Sequence, residues 1–78
     1  MFVIIVETRP ETASVVYHIQ YTKLFLQKNP KYNYFSDMLK SNIRYNMIFF
    51  LEQLLNEGWE IRGQSQNKNS MFYTLILK

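Results

Sequence analysis

The 78-residue chain has no cysteine, one histidine, one tryptophan, two glycines and two prolines. Without cysteine there is no disulfide and no thiolate metal site. A lone histidine, His18, removes most zinc and copper geometries as well. Two glycines are too few for a phosphate-cradling loop, so Gly58 and Gly63 read as punctuation. No segment reaches about eighteen consecutive uncharged apolar residues, the length of a membrane-spanning helix. The apolar opening MFVIIV meets Glu7 and Arg9 at once and lacks the basic start of a signal peptide. The expectation is a soluble, cytoplasmic protein with no membrane partner.

Catalytic groups are equally sparse. The acids are Glu7, Glu11, Asp37, Glu52, Glu57 and Glu60, and no spacing forces two carboxylates onto one inward face. His18 falls on the more polar side of its segment and has no nucleophile or orienting group at a readable offset. An enzyme is not expected, nor a cofactor.

What the chain does have is aromatic weight, 17% of its residues. A single domain over 1–78 buries a small core, and without a staple such domains lean on aromatic packing or on a second chain. Asn, Lys, Ile, Phe and Tyr supply 32 of the 78 residues. All five have AT-rich codons, which fits a viral, phage, organelle or symbiont gene. The net charge is +3, and residues 23–44 hold Lys23, Lys28, Lys31, Lys40 and Arg44 against Asp37 alone. Such a balance suits weak polyanion attraction and ordinary surface chemistry equally.

In chain order, Phe2 to Thr8 is β-branched and apolar on both sides, which predicts a central strand covered on both faces. Pro10 ends it, and a turn follows around Arg9–Ser14. Residues 14–22 alternate with period two and suit a strand forming a hairpin with the first. A helix opening at Pro10-Glu11 and continuing toward residue 28 is the rival. Asn29-Pro30 breaks the element, and Lys28 to Tyr34 reads as a loop. Ser36 as N-cap, with Asp37 behind it, opens a helix over 36–57. An irregularity or second start falls near Ser41-Asn42. Its core face holds Ile43, Met47, Phe50, Leu51, Leu54 and Leu55, with Glu52, Gln53, Asn56 and Glu57 opposite.

Gly58 stops that helix in the left-handed conformation. Trp59 to Gln64 alternates as a half-buried strand, with Trp59 plugging the junction between helix and sheet. Glu60 and Arg62 share one strand face as an exposed pair. After the polar turn Gln64–Ser70, Met71 to Leu77 forms the last strand, in a hairpin with 59–64. The fold class is α+β, a small antiparallel sheet of about four strands on one main helix, in the order ββαββ.

Two surfaces are candidates for function. Met38, Asn42, Tyr45 and Phe49 form a second stripe on the polar side of the predicted helix. Met38, Tyr45 and Phe49 are the candidate contacts for a protein partner or a homo-oligomer. The alternative is RNA or single-stranded nucleic acid held by Lys28, Lys31, Tyr32, Tyr34, Lys40 and Arg44, cations with interleaved stacking rings. The leading expectation is a non-enzymatic interaction module, an accessory subunit or a viral or phage-type regulator.

The run Leu-Leu-Asn-Glu-Gly-Trp-Glu-Ile at residues 54–61, followed by a strand, a polar turn and a strand ending in Lys, resembles a small domain family. That family has a β-α-β-β layout and an E-G-W-E helix–strand junction. The resemblance covers about 43–78 plus the first strand, and residues 9–42 depart from it because the family's link is shorter. It implies the fold and no particular activity. Tyr21, Thr22, Lys23 and Leu24 are similar to a Y-T-K-L-like run in small phycobilisome core linkers, whose pattern lacks the terminal strand.

Overall fold

A computed structural model of the chain describes residues 1–10, 15–40 and 45–78, with the backbone alone at 39 and 40. Four strands form one antiparallel sheet, β1 (Phe2–Thr8), β2 (His18–Gln20), β3 (Trp59–Asn67) and β4 (Ser70–Leu77), in the spatial order β2-β1-β4-β3. Among the described residues three helices lie between β2 and β3: α1 (Lys23–Lys28), α2 (Tyr34–Lys40) and α3 (Met47–Asn56), with a 3-10 turn at Pro30–Tyr32. The α+β class and both hairpins hold.

The β-branched run of β1 takes the centre of the sheet, pairing with β2 on one side and along its whole length with β4 on the other. Its Ile4, Val6 and Thr8 face the helices with Leu75 and Tyr73, and Ile4, Val6 and Leu75 are fully buried. The opposite face carries Val3, Ile5, Thr74 and Phe72, and Val3 is 43% exposed there. The expected cover on both faces of β1 is therefore corrected: the helices cover one. β-branched density marked a central position, which a half-covered antiparallel sheet also provides.

In the described part of 10–28 the strand replaces the rival helix, whose opening residues 11–14 lie outside the described residues, and a separate short helix follows. A three-residue strand at His18–Gln20 is followed by a helix at Lys23–Lys28. Thr22 Oγ1 accepts from the Phe25 amide at 3.2 Å to cap α1. Asn29 Nδ2 donates to the Phe25 carbonyl at 3.0 Å where Pro30 forbids continuation.

The single helix expected over 36–57 is also corrected. It is two helices. α2 starts at Tyr34, so Ser36 lies inside it and donates its hydroxyl to the Asn33 carbonyl at 3.0 Å rather than capping. α3 has its own N-cap, Asn46, whose Oδ1 accepts from the amides of Ile48 and Phe49 at 2.9 and 3.2 Å. The expected roles of Glu11, Ser41, Asn42, Ile43 and Arg44 lie outside the described residues. α3 ends as anticipated, with Gly58 at φ +101°. β3 and β4 run to a tight turn at Lys68-Asn69, longer than expected because polar Ser65 to Asn67 still pair.

Candidate functional site

Aromatic side chains converge where the helices meet the sheet. Phe25 stacks on Tyr32 and Phe35 and meets Trp59 edge-on, and Phe35 meets Phe50 edge-on. Trp59 is buried, and its Nε1–H donates to the Tyr32 hydroxyl at 2.9 Å. Trp59 is the plug its position implied. Burial, assisted by the nearby Glu57 carboxylate and opposed by the Trp59 N–H, pushes the Tyr32 phenol up to about 12. Tyr34 is also raised, by burial first, then by Glu57 and the neighbouring Tyr32 and Tyr45. Its hydroxyl accepts from Gln53 Nε2 at 3.4 Å.

This geometry corrects part of the basic segment. Tyr32 is fully buried and offers no face for a base to stack on. Tyr34 is half-buried beneath Gln53. Lys31 is exposed, with Nζ 3.9 Å from Glu57, and Lys28 is exposed on α1. The Lys40 side chain and Arg44 lie outside the described residues. The structure thus leaves Lys28 and Lys31 without the stacking ring that Tyr32 was to supply.

Met38 is corrected too. It is 5% exposed and belongs to the core, because α2 turns toward the sheet independently of α3. The stripe read from one continuous helix therefore loses its first member. Tyr45 and Phe49 are exposed, and Ile48 beside them is more than half exposed. α3 buries Met47, Phe50 and Leu54 at i, i+3 and i+7, which leaves Ile48 and Phe49 turned outward. Sequence reading missed Ile48. It also placed Leu55 in the core, where the structure leaves it 45% exposed.

The two flanks of α3 differ. Gln53 reaches Tyr34, so its flank faces α2. Leu55 lies about 200° round from Gln53, on the flank away from α2, because successive helical residues rotate by about 100°. α3 leads through Gly58 directly into β3, and Ile61 rises from the helix-facing side of that strand, opposite Leu75, 43% exposed. Just beyond it a β-bulge leaves Arg62 without an opposite residue on β4. Glu60 accepts from Arg62 Nε at 3.0 Å and lies 3.7 Å from Lys78 Nζ. The Glu60–Arg62 pair read from spacing is present.

On the uncovered sheet face, Glu7 accepts from the Ser70 hydroxyl at 2.7 Å and lies 3.5 Å from Arg9 Nε. The Arg9 guanidinium stacks 3.6 Å over Tyr17. His18 is exposed opposite Glu7. A shallow pocket of about 240 Å³ is lined by Val3, Ile5, Gln20, Tyr21 and Thr22. Among the described residues no three His, Asp or Glu side chains gather as a metal site would need, and no helix is long and apolar enough to cross a membrane. Comparison with family models, curated proteins and solved structures found no match.

Proposed function

We propose that the chain is a non-enzymatic interaction module that docks another protein on the exposed apolar crest of α3. The single observation that carries this reading is the exposure of Ile48 and Phe49, 63% and 72%, at adjacent positions of an ordered helix. Tyr45, 39% exposed, lies just ahead of the N-cap Asn46 at the start of this helix. An exposed aromatic side chain beside an exposed aliphatic one on a helix supplies the anchor type that dominates protein interfaces. Glu52, Gln53 and Asn56 provide a polar rim further along the same helix. Two roles suit such a module: an accessory subunit, or a viral or phage-type regulator that occludes a cellular protein.

The test is the double substitution Ile48→Asp with Phe49→Asp. Both side chains are outward, so the circular dichroism spectrum and melting temperature should stay close to wild type. The complex purified with the tagged protein from cells that make it should shrink to the free chain, as light scattering would show. A complex of unchanged size on a folded double variant overturns the reading.

A further inference from the structure

We propose a second, separate interface: two copies of this chain pair antiparallel through their β3 edges, about a two-fold axis at Ile61. β3 ends the sheet, and its outer backbone groups have no strand beside them among the described residues. It is nine residues long against three for the opposite edge, β2. Centred on Ile61, the pairing takes in Trp59 to Gly63, about 17 Å of that edge. These residues hold no lysine and no proline, the residues that most often keep an edge unpaired.

The side chains select the register. Centring the axis on Ile61 places Glu60 of each copy opposite Arg62 of the second copy, on the face away from the helices. Centring it on Glu60 or on Arg62 sets like charges directly opposite. Centring it on Gly63, the middle of the strand, leaves all four charges facing neutral residues. An isologous contact must be self-complementary, and only the Ile61 register makes these charges so. Exposed ion pairs add little affinity, so Glu60 and Arg62 fix the register while burial supplies the binding.

The apolar contribution lies on the other face of the strand. Ile61 of each copy would meet Ile61 of the second copy, and both are 43% exposed in the single chain. Leu55, 45% exposed on the flank of α3 turned away from α2, stands at the same end of the molecule, where α3 passes through Gly58 into β3. Two-fold pairing would bring both α3 flanks toward the axis above a continuous eight-stranded sheet. Leu55 and Ile61 are each nearly half exposed in the single chain, and a second copy would cover that remainder.

The test is sedimentation velocity on the full chain over a concentration series. The wild type should pass from 9.5 kDa to twice that mass. R62E and E60R should each weaken association at least about tenfold, because each sets like charges opposite in both halves of the contact. Mixed in equal amounts, the two variants should form a heterodimer, because every Glu then faces an Arg. F49D should leave self-association unchanged, so failure here is separable from failure of the docking reading. A wild type that stays monomeric throughout overturns the proposal and makes the bulge and the Glu60–Arg62 pair devices that keep the edge unpaired. A dimer indifferent to both single variants overturns it as well.

Discussion

The indole N–H of Trp59 donates to the hydroxyl of Tyr32, 27 residues earlier, at 2.9 Å. Both side chains are buried, and the bond ties the 3-10 turn before α2 to the first residue of β3. It fixes the turn that carries Lys31 against the core. Tyr32→Phe keeps the ring and removes the acceptor, leaving a buried N–H without its partner. The expected loss is about 1–3 kcal/mol, each kcal/mol lowering the melting temperature by about 4–8 °C in a domain of this size. Trp59→Ala removes the ring too and should cost about 3–5 kcal/mol, enough to unfold a marginal domain. Thermal melts of the two variants check the order, and a Tyr32→Phe melt matching wild type would contradict it.

Alkaline titration should read the same contact. The Tyr32 phenol rises from an ordinary 10.0 to about 12 in the folded protein. A raised folded value means the native state holds its proton more tightly than the unfolded chain. Stability from this group is thus complete below about pH 10 and lost as pH climbs toward about 12. Denaturant midpoints measured from pH 9 to pH 12 should fall across that window, and less steeply in Tyr32→Phe. Absorbance at the tyrosinate band should show Tyr32 and Tyr34 ionising above the ordinary tyrosine range.

The two glycines should respond differently to alanine. At Gly58 the backbone sits at φ +101°, and an added Cβ would meet only Leu77 Cδ1 at 3.7 Å, an ordinary contact. The cost is therefore conformational, about 1–2 kcal/mol. At Gly63 the backbone is not left-handed, and the nearest atom would be Thr74 Cβ at 3.7 Å. Gly63→Ala should be close to neutral. Equal losses at both positions in chemical denaturation would contradict this assignment.

Local chemistry made Gly58, the β3–β4 hairpin and the central place of β1 legible, because each depends on residues within a few positions. The helices were harder. Nothing between Ser36 and Glu57 is proline or glycine, so periodicity runs through the break, and Asn46 reads as an interior residue although it caps α3. Projecting both helices on one axis put Met38 beside Phe49, and put Leu55 in the core. α1, with six residues, is too short to show a helical period. The burial of Tyr32 depends on Trp59, a contact no window of sequence contains. Tyr45 and Phe49 were legible as outward rings. Ile48, Leu55 and Ile61 were not, because an aliphatic side chain reads as core until the neighbouring layer is known to stop short of it.

The docking surface on α3 is tested most directly by placing the photocrosslinking residue p-benzoylphenylalanine at position 49, in cells that make the protein. The same residue at Gln27, exposed on α1, serves as control. The expected result is one discrete adduct from position 49 that competes away with unlabelled wild-type chain, and none from position 27. Diffuse labelling alike at both positions, or no adduct at 49 from a folded protein, would contradict an interface on this face.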